Sequence, residues 1–433
     1  MRHAASARVA VVGGGWAGLA AAVEATRLGD KVTLFEMAPT LGGRARTVWL
    51  GHGSERQAFD NGQHILIGAY RETLRLMQLI GGEPDTSLLR TPLTLVDGRG
   101  IGLRLPAGPA LVAFSRGVLS HAGWSWRDKA SLLWMAARWA AAGFTCAASL
   151  RVRQLCADLP ETVQHDLIDP LCVAALNTDS EHASARVFLR VLRDAMFSGP
   201  GSADLLLPRR PLGELLPEHA ERWLAQQGAQ VLTSARVMHI ERDGDGWQVE
   251  GERFDAVVMG CTAREASRLA MAHAPAWANI AAALHYEPIV TVYAMAAGTR
   301  LPQAMTLLHS GPAEGPAQFV FDHGWLSGQH GLLSFVISAA QPWVDAGHEA
   351  AANATLRQAR TQLGQHLGSQ LQSLQVLTEK RATFRCTPGL DRPSARIADG
   401  LMAAGDYVEG PYPATLEGAV QSGVGAARSW RDA

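Results

Sequence analysis

Four apolar residues follow Arg8 without interruption at positions 8–12 (RVAVV), a pattern that is typical of a short buried strand. A glycine-rich turn follows, and the alanine-rich stretch after it predicts a helix from Ala17 to Leu28 that Gly29 ends. Residues 31–36 (KVTLFE) predict a second strand. This strand–helix–strand pattern indicates the mononucleotide-binding half of a doubly wound fold.

The pattern changes twice along the rest of the chain. Residues 72–200 are rich in Ala, Leu, Trp and Arg and predict helices. From Pro211, the stretch LGELLPEHAERWLAQQ predicts a helix that stops at Gly228, and strands with hairpin turns follow it. The predicted strands are VLTSARVMHIERD, WQVEGERF, DAVVMG, IVTVYAMA and LLSFVIS, and further helices are predicted near 345–370 and 413–428.

These elements predict an α/β fold in which one Rossmann-like dinucleotide-binding domain is assembled from separated segments. We expect that domain to comprise residues 1–75, 205–275 and 380–433. The intervening residues 76–204 and 276–379 would form an inserted α+β domain that covers the ligand and binds the substrate.

Composition narrows the class of protein. The 433 residues are 47% hydrophobic and 18% charged, with a formal net charge of -1, which argues against a general nucleic-acid binder. The five cysteines include no C-x-x-C pair and no cluster with histidine. We therefore expect no metal site and a reducing, cytoplasmic location. The apolar region 131–150 contains Arg138, so we expect no transmembrane helix.

The glycine turn has the spacing Gly13-x-Gly15-x-x-Gly18, and Glu36 ends the next strand. The first glycine permits a tight turn, the second lets backbone approach a pyrophosphate, and the third lets the helix pack on the strand. The helix N-terminus faces the phosphates, and Glu36 can accept hydrogen bonds from the adenosine ribose. Because strand, helix and acid are in register, a dinucleotide site is favoured over an ordinary glycine-rich turn. The residues assigned to the cofactor here are Gly13, Gly15, Trp16, Ala17, Gly18 and Glu36.

A second glycine segment, LGGRART at residues 41–47, follows Glu36 directly. A similar segment occurs in flavoproteins of the amine-oxidase and phytoene-desaturase type, whereas a NAD enzyme does not need one. Gly42 and Gly43 would permit backbone contact with the long FAD molecule, and Arg44 would supply charge to its pyrophosphate. The alternative is a solvated basic loop.

A third segment lies near the C-terminus. It consists of Gly405-Asp406 and the stretch YPATLEGA, which begins at Tyr412 and contains the helix-start residues Pro413 and Thr415. In the same flavoproteins, the Asp holds the ribityl chain and a helix N-terminus meets the pyrimidine edge of the flavin, where its positive end stabilises reduced flavin. The resemblance assigns to the cofactor Gly405, Asp406, Thr415, Leu416 and Glu417, with Val237 against the adenine.

The cofactor expected from these segments is non-covalent FAD. No Cys or His stands beside Tyr412 to tether a flavin. No second G-x-G-x-x-G follows a strand, so no nicotinamide domain is visible. The flavin would therefore exchange electrons with an external donor or acceptor.

Four stretches resemble the bacterial hydroxysqualene dehydroxylases, also called squalene-associated FAD-dependent desaturases. The resemblance covers essentially the whole chain. It implies that reduced FAD removes the hydroxyl of hydroxysqualene, an isoprenoid, and yields squalene for hopanoid synthesis. Asp179-Ser180 and the residues around Leu206 depart from the family pattern. The stretches are DNGQH at residues 60–64, NTDSEHASARVFLRVLRDAMF from Asn177, DLLLPRRPLGELLPEHAERWL from Asp204, and GDYVEGPYPATLEGAVQSG from Gly405.

Loss of an allylic hydroxyl requires a general acid that protonates the leaving oxygen. The candidate catalytic residues are Asp60 and His64, because in related flavoproteins this loop runs past the flavin, with Gly62 giving close approach. Glu409 is a third candidate. The alternatives are that Asp60 only fixes the position of Arg44 or of a backbone turn, and that His64 is a buried structural histidine.

One structural question stays open at this point. The tryptophans between Trp124 and Trp139 either form an interfacial helix for a peripheral membrane contact or, as we favour, pack the helical region.

Two alternative functions also stay open. A carotenoid or phytoene desaturase would run hydride transfer in the opposite direction, and a prenyl-binding module of the same fold would carry no flavin. The intact Glu36 and Arg44 signature argues against the latter.

Overall fold

The computed structural model describes residues 6–51 and 56–432, so residues 1–5, 52–55 and 433 of the predicted FAD-binding segments lie outside the described part. Its central element is a six-stranded sheet with five parallel strands and one antiparallel edge strand. The predicted strand–helix–strand unit is confirmed. The strands, in spatial order, are Gln230–Leu232, Lys31–Phe35, Arg8–Val12, Ala256–Met259, Leu401–Ala403 and Arg396–Ala398.

Both faces of this sheet are covered, because strands Arg8–Val12 and Ala256–Met259 carry buried apolar residues on both sides. Val9 and Val11 contribute to one hydrophobic core, and Ala10 and Val12 contribute to the core on the opposite face. The first face is covered by the helices Trp16–Arg27, Arg71–Leu79, Leu212–Leu215, Pro217–Gln226 and Leu416–Ser429, which the 3-10 turn Trp430–Asp432 follows. The short helix Pro84–Ser87 comes after Arg71–Leu79 in the chain. The second face is covered by the antiparallel strands Ile240–Asp243, Gly246–Val249 and Glu252–Phe254 and the helices Ala263–Ala270 and Pro275–Ala282.

Three predicted elements in this region need correction. The strand predicted over WQVEGERF is two antiparallel strands, Gly246–Val249 and Glu252–Phe254, joined by a turn at residues 250–251. The helix predicted from residue 212 to Gly228 is divided at Leu216, because Pro217 has no N–H to continue the first turn and instead begins a new helix. The long strand predicted over 231–243 is two short strands. The residues between them, including Val237, form an irregular extended segment.

A second sheet of five strands lies beside the first and is antiparallel throughout. Its longest strands, Tyr286–Met295 and Gln372–Phe384, run side by side. The spatial order is Met305–Leu307, Phe319–Asp322, Leu332–Ile337, Tyr286–Met295 and Gln372–Phe384. The helices of this region are His323–Leu326, Gln341–Ala346, His348–Leu363 and the 3-10 turn Gly364–His366.

The region predicted as mostly helical, residues 72–200, also contains three short strands that its composition did not predict. Its helices enclose a hydrophobic core that includes Trp124 and Trp139. The helices are Ala110–Ser120, Trp126–Ala141, Val152–Leu155, Glu161–Val163, the π-helix Gln164–Ile168, Asp169–Leu176 and Ala185–Phe197. The short strands are Leu88–Thr91, Thr94–Val96 and Gly102–Arg104, and nearby are Thr47–Leu50, Gln57–Asp60, Leu66–Ile67 and Leu205–Pro208. Across the described residues, no helix is both long and apolar enough to span a bilayer.

Candidate flavin and substrate site

The glycine turn forms at the carboxyl end of strand Arg8–Val12. Gly13 has a φ of 108°, which favours glycine, and its N–H donates to the carbonyl of Phe35 over 2.7 Å. A Cβ on Gly18 would lie 1.8 Å from the carbonyl oxygen of Gly13, so only glycine lets the helix pack on the turn. Gly15 begins that helix, and Gly15, Trp16 and Ala17 line a cavity of about 710 Å³. The helix N-terminus therefore borders the cavity, as anion binding requires.

Glu36 is buried at the end of strand Lys31–Phe35 and lines the same cavity. Its carboxylate accepts hydrogen bonds from the N–H of Gly14 over 2.6 Å and from the N–H of Ala38 over 2.7 Å. Glu36 thus holds the glycine turn in place as well as facing the cavity. Val237, also buried, contributes to the cavity wall near this end.

The second glycine segment packs directly on the first. The N–H of Gly42 donates to the carbonyl of Gly14 over 2.8 Å, and a Cβ on Gly43 would lie 3.1 Å from the Cα of Gly15. Gly42 and Gly43 both have positive φ values, 107° and 61°. This approach of two backbones explains why the segment contains glycine, and both residues line the cavity.

Arg44 joins this segment to the C-terminal one. Its Nη2 lies 2.5 Å from Oδ1 of Asp406, and its Nη1 donates to the carbonyl of Ala382 over 2.8 Å. Burial lowers the pKa of Arg44, but the charge of Asp406 outweighs burial, so that pKa lies above its usual value. The guanidinium that we expected at a pyrophosphate is therefore committed to Asp406, although Arg44 still lines the cavity.

The C-terminal segment contains the predicted helix, which starts after Thr415, two residues later than Pro413. Thr415 is the N-cap, and its Oγ1 accepts from the N–H of Gly418 over 3.0 Å. Gly405, Asp406, Thr415 and Leu416 line the cavity.

Glu417, predicted to bind the cofactor, is turned away from the cavity and fully buried. It accepts hydrogen bonds from the N–H groups of Glu72 and Thr73 over 3.0 and 2.9 Å, and from the Thr73 hydroxyl over 2.7 Å. Glu417 thus satisfies the first N–H groups of helix Arg71–Leu79, a role that no local motif signals.

The two candidate acids of the DNGQH segment have different surroundings. The Oδ1 atom of Asp60 accepts from the Leu212 N–H over 2.9 Å and from the Thr47 hydroxyl over 3.0 Å. Burial raises the pKa of Asp60 to about 6, against the effect of these two bonds. Its side chain holds neighbouring segments together and does not contribute to the cavity wall, whereas Gly62 and His64 do.

His64 faces the cavity in a neutral state. Burial, together with the charge of Arg44, lowers its pKa to about 4, although a hydrogen bond with the Arg44 backbone acts in the opposite direction. Glu409, the third candidate, is exposed and is absent from the cavity wall. Of the three carboxyl and imidazole groups considered from the sequence, His64 alone borders the cavity.

A second cavity of about 580 Å³ adjoins the first and has a strongly apolar wall. The sequence did not reveal this cavity. Its lining includes side chains of the helices Ala110–Ser120, Trp126–Ala141 and Ala185–Phe197. Such a space suits a long hydrocarbon better than a polar ligand. The residues that line both cavities are Ile65, Tyr70, Ala174, Ala175, Phe319 and Thr415.

Tyr70 is the functional candidate that sequence reasoning missed. It lies where the two cavities meet, and its hydroxyl is hydrogen-bonded with Thr415. Burial raises the pKa of Tyr70 well above its usual value, with a further contribution from Glu417, so the phenol stays protonated. The available signal was its place six residues after His64, directly before helix Arg71–Leu79.

The site can be compared with known proteins. The family model "Flavin containing amine oxidoreductase" matches residues 16–429. The chain belongs to this family. It is 28% identical to a hydroxysqualene dehydroxylase from Rhodopseudomonas palustris, with 98% of each chain covered. It is 24% identical to a zeta-carotene desaturase from Synechocystis, with 98% of this chain and 96% of that one covered.

Solved structures show the same fold. An oxidoreductase from Methanosarcina mazei superposes with a TM-score of 0.72 at 14% identity, covering 96% of this chain and 99% of that one. Family membership makes this chain a flavin-dependent oxidoreductase and confirms the predicted α/β fold class. Within residues 6–51 and 56–432, no group of three or more His, Cys, Asp or Glu side chains is placed to hold a metal ion.

Proposed function

We propose that this oxidoreductase is an FAD-dependent hydroxysqualene dehydroxylase that yields squalene for hopanoid synthesis. The observation that carries the proposal is the junction at Tyr70, where an apolar cavity of hydrocarbon character meets the cavity bordered by the glycine turn and Glu36. The name of the R. palustris relative agrees with this reaction. An isoprenoid substrate would lie in the apolar cavity with its hydroxyl at the junction.

The residues of the first cavity fit an FAD molecule. Two helix N-termini, at Gly15 and at Thr415, border the cavity at separate places. The Tyr407 hydroxyl is buried among the described residues without a hydrogen-bond partner, and this side chain also lines the cavity. A bound ligand with hydrogen-bond acceptors would satisfy that hydroxyl.

We propose that the FAD is held without a covalent bond. Cys261 is the cysteine in the cavity wall, and a Cβ on Gly13 would lie 2.8 Å from its backbone nitrogen, which places it beside the glycine turn. Burial raises the pKa of the Cys261 thiol to about 12, so the nucleophilic thiolate is scarce at neutral pH. With no nicotinamide-binding motif in the chain, the electrons would come from an external donor.

Reduced flavin, when bound, supplies the hydride for this reaction. The chain has to orient the substrate, exclude water and provide a proton for the leaving oxygen. The wall of the apolar cavity performs the first two tasks. Tyr70 can donate a hydrogen bond to the hydroxyl oxygen, because its phenol stays protonated.

For the proton itself we favour His64 over Asp60, because the imidazole borders the cavity and the Asp60 carboxylate is bonded to Thr47 and Leu212. The low pKa of His64, about 4, makes its protonated form rare but strongly acidic. Asp60 then acts as a positioning residue for the DNGQH segment.

We further propose that residues 1–75, 205–275 and 380–433 fold as the FAD-binding domain, with 76–204 and 276–379 as the substrate domain. All six strands of the mixed sheet belong to the first set, which supports this division. A membrane-soluble substrate also favours a cytoplasmic enzyme at the periphery of the inner face of the membrane.

The alternative function is a carotenoid-type desaturase, which the similarity to zeta-carotene desaturase favours. The test is to incubate the reduced protein with hydroxysqualene and the oxidised protein with phytoene, and to identify products by mass spectrometry. We expect squalene from the first mixture and unchanged phytoene in the second. Desaturated phytoene without any squalene would reverse the assignment.

A further inference from the structure

Two neighbouring helices present an exposed apolar surface to solvent. On helix Trp126–Ala141, exposed apolar residues recur every three or four positions, and the exposed Arg127 and Arg138 lie between them in the sequence. Trp126 is 74% exposed and Trp134 is 67% exposed, which is unusual for tryptophan in a folded chain. The surface, here named the tryptophan face, consists of Trp126, Ala130, Trp134, Ala137 and Ala141 together with Leu111, Val112 and Leu119 of helix Ala110–Ser120.

The same two helices form a wall of the apolar cavity with their inner sides. The cavity side is lined by Ala113 and Phe114 of one helix and by Leu132, Ala136 and Trp139 of the other. One layer of helix therefore separates the tryptophan face from the cavity. The exposed loop 106–109 lines the cavity too, so the cavity reaches the surface next to the tryptophan face.

A lysine connects the two halves of the tryptophan face. The Nζ of Lys129 donates to the carbonyl of Leu119 over 2.9 Å and lies 5.0 Å from the centre of the Trp126 ring. The exposed end of one helix is thus fixed against the first turn of the other. The two apolar halves form one continuous surface.

The two helices of the tryptophan face and the turn between them carry more basic than acidic residues. Between positions 106 and 141, the chain has four basic residues, Arg116, Arg127, Lys129 and Arg138, against the single acid Asp128, although the whole chain has a net charge of -1. Asp128 is occupied in capping its own helix. Arg138 pairs with the exposed Asp158 over 3.4 Å, whereas Arg116 and Arg127 are exposed and make no ion pair with any residue in the described part of the chain.

We propose that the tryptophan face docks this protein on a bilayer that contains anionic phospholipid, with the cavity mouth held at the lipid surface. The apolar residues would enter the headgroup region while the arginines meet lipid phosphates. A second copy of the chain is the less favourable occupant, because a symmetric contact would bring two basic surfaces together. The proposal rests on the proposed function in one respect, namely that docking would serve to deliver an isoprenoid substrate from the bilayer.

Sedimentation with vesicles tests the proposal without substrate or turnover. The full-length protein is mixed with vesicles of phosphatidylcholine alone and of phosphatidylcholine with phosphatidylglycerol. We expect binding to the anionic vesicles that weakens as salt increases. The Trp126→Ser/Trp134→Ser variant should bind about tenfold more weakly or worse, and Arg116→Gln/Arg127→Gln should lose about 30-fold on anionic vesicles.

The matched control is Trp49→Ser, because Trp49 is also exposed but lies on strand Thr47–Leu50, outside the two helices. It should bind like the unaltered protein, and unchanged melting temperatures would show that all variants are folded. Equal binding by the double tryptophan variant would overturn the proposal. Absence of vesicle binding together with a dimer that this variant dissociates would instead identify a subunit interface. Since no step uses substrate, vesicle binding without squalene formation would leave docking intact and refute only the reaction.

Discussion

The ion pair between Arg44 and Asp406 should be the most sensitive polar contact in the flavin cavity. The Asp406 side chain is only 6% exposed and that of Arg44 is 28% exposed, so both charges are largely removed from water. Arg44→Ala would leave the Asp406 carboxylate buried without its partner. Removing one member of a buried pair typically costs about 3–5 kcal/mol, because an uncompensated charge remains.

A double-mutant cycle separates the cost of the orphaned charge from the value of the contact. Removing both partners also removes the orphan, so Arg44→Ala/Asp406→Ala should be destabilised less than Arg44→Ala alone. The assay is the free energy of unfolding from urea denaturation of the flavin-free protein. Because the stranded carboxylate can take up a proton, the loss in Arg44→Ala should be smaller at about pH 5 than at about pH 8.

The control pair is Arg8 with Glu252, whose side chains are 48% and 54% exposed. Arg8→Ala should change the unfolding free energy by about 0–1 kcal/mol, because water screens an exposed pair. If the losses from Arg44→Ala and Asp406→Ala simply added in the double variant, the ion pair would not be the reason for the sensitivity. A loss in Arg44→Ala no larger than that in Arg8→Ala would likewise refute the reasoning.

Three further predictions concern the cofactor and the proton. Glu36→Ala should weaken FAD binding by about 1.5–3 kcal/mol, or about 10- to 150-fold, in titration calorimetry, whereas Glu36→Gln, which keeps an acceptor oxygen, should lose less; an alanine variant with unaltered affinity would place the ribose contact elsewhere. Acid precipitation should release intact FAD into the supernatant, and flavin remaining on the pellet would contradict non-covalent binding. His64→Gln should slow squalene formation by about 10²–10⁴ without loss of FAD, and Asp60→Asn should affect the rate less. Since protonated His64 becomes more abundant as pH falls towards its pKa of about 4, the rate should rise with acidity above that pKa in the unaltered protein and stay flat in His64→Gln; matching pH profiles would exclude His64 as the acid.

Local patterns predicted the elements around the glycine turn well. The strand Arg8–Val12 and the start of helix Trp16–Arg27 depend on neighbouring residues, and so does the need for glycine at Gly18, where any side chain would meet Gly13. The break before Pro217 was missed, although proline seldom continues a helix from its interior and the sequence therefore carried that signal.

Residue roles that depend on contacts between distant parts of the chain could not be predicted from the sequence. Glu417 accepts a hydrogen bond from the N–H of Glu72, which lies 345 residues earlier in the chain, so its position two residues after Thr415 suggested the cofactor instead. The partner of Asp60 at Leu212 is 152 residues away, and only the fold brings the two together. Tyr70 became a candidate only when packing placed it between two cavities.

The most direct test of the proposed reaction is a single turnover without oxygen. The FAD-loaded protein is photoreduced, mixed anaerobically with hydroxysqualene, and followed by flavin absorbance while squalene is quantified in quenched samples. The account predicts that the flavin reoxidises and that squalene forms at the same rate, with one squalene per oxidised flavin. Flavin that stays reduced, or that reoxidises without squalene, would contradict it.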